Sequence, residues 1–149
     1  MSVSSATPLL IDTGAFYARA DSDDANHETA VRLFERIRDG GLAYRPLYTT
    51  QAVLAELATL CLYKLGHPVA TRTLTAVRDA ASINILPVGP NAFETAATRF
   101  ADYDDQEISF VDHTTAVLAD ERDIDHIFAF DDDFRTLGFT VVPDDSNAL

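Results

Sequence analysis

At 149 residues the chain has room for one compact domain with a core of its own, and its 47% hydrophobic and 23% charged residues are those of a globular protein. No apolar run is long enough for a membrane helix, and Met1–Pro8 lacks the basic start and apolar stretch of a secretory signal. The net charge of −13, from 24 acidic against 11 basic residues, is the reverse of the basic surface that nucleic-acid binders normally carry.

The pattern therefore predicts a soluble, cytoplasmic protein with no membrane contact, a single domain over residues 1–149 with a flexible tail over about residues 1–7. The lone Cys61 excludes an internal disulfide and a cysteine-rich zinc site, and reads as a small buried apolar residue.

In chain order, apolar runs bounded by turn residues alternate with stretches of helical period. Leu9-Leu10-Ile11 reads as a short buried strand ending at Asp12, and Gly14–Ala20 as the start of a helix. From about Asn26, the spacing of Ala30, Phe34 and Ile37 describes an amphipathic helix stopped by Gly40-Gly41. Leu47-Tyr48-Thr49 follows as an edge strand, because Pro46 lacks the N–H a central strand needs. Thr50 caps a long helix over Gln51–Leu65, closed by Gly66, and Pro68 opens another to about Ala81. Ile83–Val88 is a strand, with Pro87 marking an edge or an end. Asn91 then caps a helix over Ala92–Ala101, and Asp102–Glu107 is an acidic loop. Ser109, three residues before Asp112, caps the next helix through about Arg122 in the manner of a capping box. Ile127–Phe130 is a strand, Asp132–Leu137 a helical turn and Thr140–Val142 a final strand. Short strands alternating with helices predict an α/β fold, a three-layer α/β/α sandwich around a mostly parallel sheet.

Asp12 and Asp131 each follow an apolar strand at its carboxyl end, the edge where ligands bind in open α/β sheets. Each alone is better read as a cap of the helix or turn that follows; parallel strands would deliver the two to one edge. In the helix Gln51–Leu65, three- and four-residue steps from Glu56 reach Ala52, Val53, Thr59, Leu60 and Tyr63, so its carboxylate projects from a largely apolar stripe. If buried there it needs a partner, either one of the arginines or a cation; a rotated helix would let it reach solvent instead. Asp112 is explained by capping, yet its helix would start beside the same sheet edge, and Asp133 stands where it could join or replace Asp131. Converging carboxylates repel one another unless a proton or a cation intervenes, and an all-oxygen set points to hard Mg2+ or Mn2+. One or two such ions can bind a phosphodiester and activate water for in-line attack.

Leu9-Leu10-Ile11-Asp12-Thr13, Glu56 within Val53–Leu57, Ser109-Phe110-Val111-Asp112, and Phe128–Phe134 near Gly138-Phe139 together resemble the PIN-domain family, most closely its VapC-type toxins. The resemblance spans nearly the whole chain, and Ser109–Phe139 is its most specific part. It implies a parallel α/β/α sandwich and a Mg2+- or Mn2+-dependent endoribonuclease, with Asp12, Glu56, Asp112 and Asp131 as an acidic quartet and Asp133 as an extra ligand. By the same resemblance, Thr13 offers a hydroxyl to a water or phosphate oxygen, and Ser109 orients the start of the helix that bears Asp112. It further implies a homodimer, an RNA substrate and a small antitoxin partner. A housekeeping ribonuclease or a non-catalytic binding module of the same fold are the alternatives; the neighbouring gene separates the first from a toxin, and Mn2+ calorimetry the second.

Acidity and His113, where many relatives have a small residue, depart from the family pattern. The bias is surface-wide, and Lys64 is the only lysine beside ten arginines, as expected of a protein working at very high salt, where charge repulsion is screened. Melting temperature should then rise between low and molar KCl; no rise would sink that reading. His27, His67, His113 and His126 lack metal-ligand spacing and read as surface or capping residues. Asp21–Asp24 fails as a calcium loop, with Asn26 where glycine is needed and Arg32 where glutamate is needed, and Gly14 stands where an aspartyl phosphatase needs a second acid.

Overall fold

The computed structural model describes residues 6–145. Five strands form one sheet in the order β3-β2-β1-β4-β5: β1 (Thr7–Ile11), β2 (Tyr44–Thr50), β3 (Ile83–Leu86), β4 (His126–Phe128) and β5 (Thr140–Val142). Every neighbouring pair is parallel, so the carboxyl ends of all five lie along one edge. Residues alternate across the sheet. On one face Leu9, Ile11, Phe128 and Val142 pack under α1 (Thr13–Ala20), α2 (His27–Arg38), α3 (Gln51–Leu65) and α4 (His67–Asp79). On the other face Leu10, Ile127 and Val141 meet α6 (Phe110–Glu121) and α7 (Asp133–Thr136), with α5 (Pro90–Asp102) packed on α6. The predicted three-layer sandwich is present, and none of the described helices is long and apolar enough to cross a membrane.

Several boundaries follow from single side chains. The Thr50 hydroxyl accepts the Val53 N–H at 3.0 Å, Gly66 closes α3 with φ of 92°, and the Ser109 hydroxyl accepts the Asp112 N–H at 3.1 Å. Cys61 is fully buried in the core beneath α3.

Some expectations need correction. β2 is internal, between β1 and β3, although it contains Pro46. The register between β1 and β2 slips there, from Thr7–Tyr44 to Leu9–Leu47, and pairing with β3 starts only at Leu47, so no ladder bond needs the missing N–H. Helix α5 opens at Pro90 rather than after Asn91, since proline at the first helical position is pre-set in φ and has no N–H to satisfy. β1 begins at Thr7, so Thr7 is in the sheet and not in a tail; residues 1–5 of the expected tail lie outside the described residues. β4 stops at Phe128, leaving Ala129 and Phe130 between the strand and Asp131, although the Ala129 N–H still reaches Val142 O at 3.1 Å.

Candidate metal centre

Asp12 ends β1 where it is wedged between β2 and β4. The Asp12 N–H bonds Phe128 O at 3.0 Å, and the buried Thr49 hydroxyl donates to Ile11 O at 2.9 Å, tying the carboxyl end of β1 to both neighbours. Sequence reasoning passed over Thr49; its only signal was a hydroxyl at a position the sheet buries. Asp12 is 3% exposed, and its Oδ1 is buried without a hydrogen-bond partner. The next residue, Thr13, also holds a buried hydroxyl with no partner.

Asp112 comes from the opposite layer, on the first turn of α6, and is 7% exposed. Oxygens of Asp112, Asp131 and Asp133 lie within 4.8 Å of one another, the spacing of ligands around one cation. Asp131 is exposed and accepts the Asp133 N–H at 3.0 Å, a local turn that turns both carboxylates the same way. The sequence left open whether Asp131 or Asp133 belongs with Asp112, and both bring an oxygen within that distance.

Glu56 stands apart. Its helix buries Val53, Leu54, Leu57 and Cys61, whereas the stripe of Ala52, Glu56, Thr59, Leu60 and Tyr63 lines a shallow, solvent-open groove with Val111. The apolar stripe read from the sequence is therefore mostly an outer face, with Tyr63 82% exposed. Glu56 itself is half-buried, and no hydrogen bond or ion pair reaches it among the described residues.

Electrostatics record the crowding. Burial, then Asp112 and Asp131, hold the Asp12 carboxyl well above the ordinary carboxylate range. Asp112 is pushed up to about 7 by burial first, then by Asp131, Asp133 and Glu56, against a hydrogen bond with Ser109 that pulls it down. Asp131, though its side chain reaches solvent, is raised as well, by partial desolvation among its neighbours and then by Asp133 and Asp132. The orphaned Asp12 Oδ1 and the crowded carboxyls fit a hard divalent ion, which would take up that oxygen and offset the repulsion.

His113 departs from expectation. It is fully buried rather than at the surface, because its place three residues after Phe110 turns it into the aromatic layer under α5, 5.1 Å from the Tyr103 ring and 6.0 Å from Phe100. His27 and His67 stay outside the core, with His27 Nδ1 2.7 Å from Ala18 O, whereas His126 is a half-buried residue of β4 with its Nδ1 enclosed.

Away from the carboxyl edge, a groove of about 1080 Å³ runs between α2 and α4 over the start of β2. Its floor includes Phe34, and Arg19, Arg38, Arg45 and Arg72 line it with Glu35 as the one acid. The Arg19 guanidinium sits 3.9 Å above the Phe34 ring.

The model of the PIN domain family matches residues 9–140. The chain is 31% identical over 136 residues to the 23S rRNA-specific endonuclease VapC20 of Mycobacterium tuberculosis, covering 90% of this chain and 97% of that protein. The crystal structure of VapC20, described as a sarcin-ricin loop cleaving toxin, superposes with a TM-score of 0.79 at 30% identity over 88% of this chain and 95% of that one. FitAcB of Neisseria gonorrhoeae shares the fold with a TM-score of 0.64 at 17% identity, covering 89% and 95%. VapBC2 of Rickettsia felis, solved with a promoter DNA fragment, does so with a TM-score of 0.66 at 10% identity, covering 91% and 97%.

Proposed function

Because this chain belongs to the PIN-domain family, we propose that it is a Mg2+- or Mn2+-dependent endoribonuclease, the toxin of a toxin–antitoxin pair. The observation that carries this reading is the gathering of Asp112, Asp131 and Asp133 within ligand distance beside the orphaned Oδ1 of Asp12. In this reading Asp12, Asp112 and Asp131 are the principal ligands, with Asp133 completing the set and Glu56 closing the α3 side of the cleft. A divalent ion held there supplies Lewis-acid activation of water and charge neutralisation at the phosphodiester.

The remaining work falls to side chains of this chain. Thr13, with its unpartnered hydroxyl, donates to a water or phosphate oxygen next to Asp12. Ser109 fixes the first turn of α6 and so the direction in which Asp112 points. Burial under both helical layers limits water around Asp12 and Asp112, which strengthens every charge interaction in the cleft.

Likeness to VapC20 over nearly its full length makes ribosomal RNA the first substrate to test. With Mn2+ the purified chain should cut it; cleavage that persists in EDTA, or none at all with Mn2+ across low and molar salt, overturns the reading. An antitoxin should suppress the cut. The arginine-lined groove supports a partner of acidic amphipathic character, since its charge is opposite to the rest of the −13 chain. The exposed apolar residues of α3, Leu62 and Tyr63, support a homodimer, which light scattering tests.

A further inference from the structure

Asp131, Asp132 and Asp133 are three consecutive acids beyond β4, at a place where α7 is only four residues long. Left to mutual repulsion, such a run would splay; the sequence favours Asp131 or Asp133 toward Asp112 with Asp132 outward, but no neighbour in the run holds them so. The structure sorts them. Asp131 and Asp133 turn toward Asp112, while Asp132 is drawn outward by Arg135, whose Nη1 donates to Asp132 Oδ1.

Arg135 does not act alone. Its Nε donates to both oxygens of Asp145, at 3.0 and 3.1 Å, and its Nη2 to Oδ1 at 2.7 Å. Asp145 is in turn fixed to the sheet: its Oδ2 accepts the Val141 N–H at 3.0 Å, and its own N–H bonds Val141 O at 2.7 Å. A continuous path thus runs from β5 through Asp145 and Arg135 to Asp132, in the middle of the acidic run. Exposed ion pairs contribute little to stability, but a forked guanidinium on a carboxylate fixes direction well. Phe134, fully buried, anchors the turn without setting how the carboxylates on either side are rotated.

We propose that Arg135 and Asp145 are positioning residues for the metal centre, holding Asp132 out so that Asp131 and Asp133 present their oxygens to Asp112. The inference rests on the proposed metal-dependent reading of that site. Its signature is a loss of metal affinity without a matching loss of fold.

The test is titration calorimetry of the full chain with Mn2+, in wild type, Arg135→Ala, Arg135→Lys and Asp145→Asn, each checked by its melting temperature. Arg135→Ala should weaken Mn2+ binding about tenfold, the scale seen when groups behind metal ligands are removed, with melting close to wild type. The Mn2+ concentration for half-maximal cleavage should rise in step, while the rate at saturating Mn2+ stays near wild type. Arg135→Lys, with a point charge in place of a fork, should recover only part of the affinity. Asp145→Asn should resemble Arg135→Ala, and the double variant should be no worse than either. Wild-type affinity in both Arg135→Ala and Asp145→Asn would overturn the positioning role alone. A wild type that takes up no Mn2+ would overturn it together with the metal-site reading.

Discussion

Asp112→Asn should abolish Mn2+-dependent RNA cleavage, a loss of at least about a hundredfold, and should at the same time make the metal-free protein more stable at pH 7.5. The two effects share one cause. Asp112 is 7% exposed, pushed up to about 7 by burial and by Asp131, Asp133 and Glu56, and no cation reaches it among the described residues. At pH 7.5 the metal-free fold therefore holds a charge it disfavours, at a cost on the order of 2 kcal/mol. Asparagine removes that charge and keeps the shape. It gives up the favourable placement of an anion at the start of α6, about 0.5 kcal/mol, while the Ser109 cap survives because it is made to the backbone N–H. Relief outweighs loss, so the melting temperature should rise by a few degrees. A variant that cleaves like wild type, or that is inactive only because it has unfolded, would remove Asp112 from the centre.

The second large effect is a reversal of pH dependence by metal. Asp12, Asp112 and Asp131 are all raised in the fold, by burial first and then by one another. Between about pH 4, where these groups titrate in the unfolded chain, and about pH 7, the folded state binds more protons than the unfolded. Their contribution is thus favourable at low pH and lost as pH rises. Scanning calorimetry in EDTA should show a lower melting temperature at pH 8 than at pH 5. Saturating Mn2+ should invert the order, because the ion binds only deprotonated carboxylates and, at a hundred times its dissociation constant, stabilises by about 2.7 kcal/mol. A melting temperature that does not change with pH in EDTA would mean the carboxylates are not crowded in solution.

How much of this was legible in the sequence depended on whether the signal was local. The bounds of α3 and β5 were read correctly, because Thr50, Gly66 and a β-branched run act within a few residues. The Ser109 cap was equally local. Pro46 misled because its cost depends on whether a partner strand asks for its N–H, and the register slip that spares it is a property of two strands. His113 misled because its neighbours come from α5 and from the loop at Tyr103, which no spacing around His113 reveals. Glu56 shows that an apolar stripe says nothing about which side of a helix is covered: α3 buries the neighbouring face instead. Asp131 and Asp133 could not be ranked because the turn in which Asp131 accepts the Asp133 N–H brings an oxygen of each near Asp112, a residue of another element.

Parallel pairing of Leu9 with His126 has a consequence for the timing of synthesis. β1 leaves the ribosome early and must wait for β4 before the sheet can close around Asp12, while Asp131 and Asp133 follow later still. A nascent chain therefore carries acids but no pocket. A protein of this kind becomes hazardous to RNA only after the segment beyond β4 has been made, and a partner present before that moment meets a half-built nuclease.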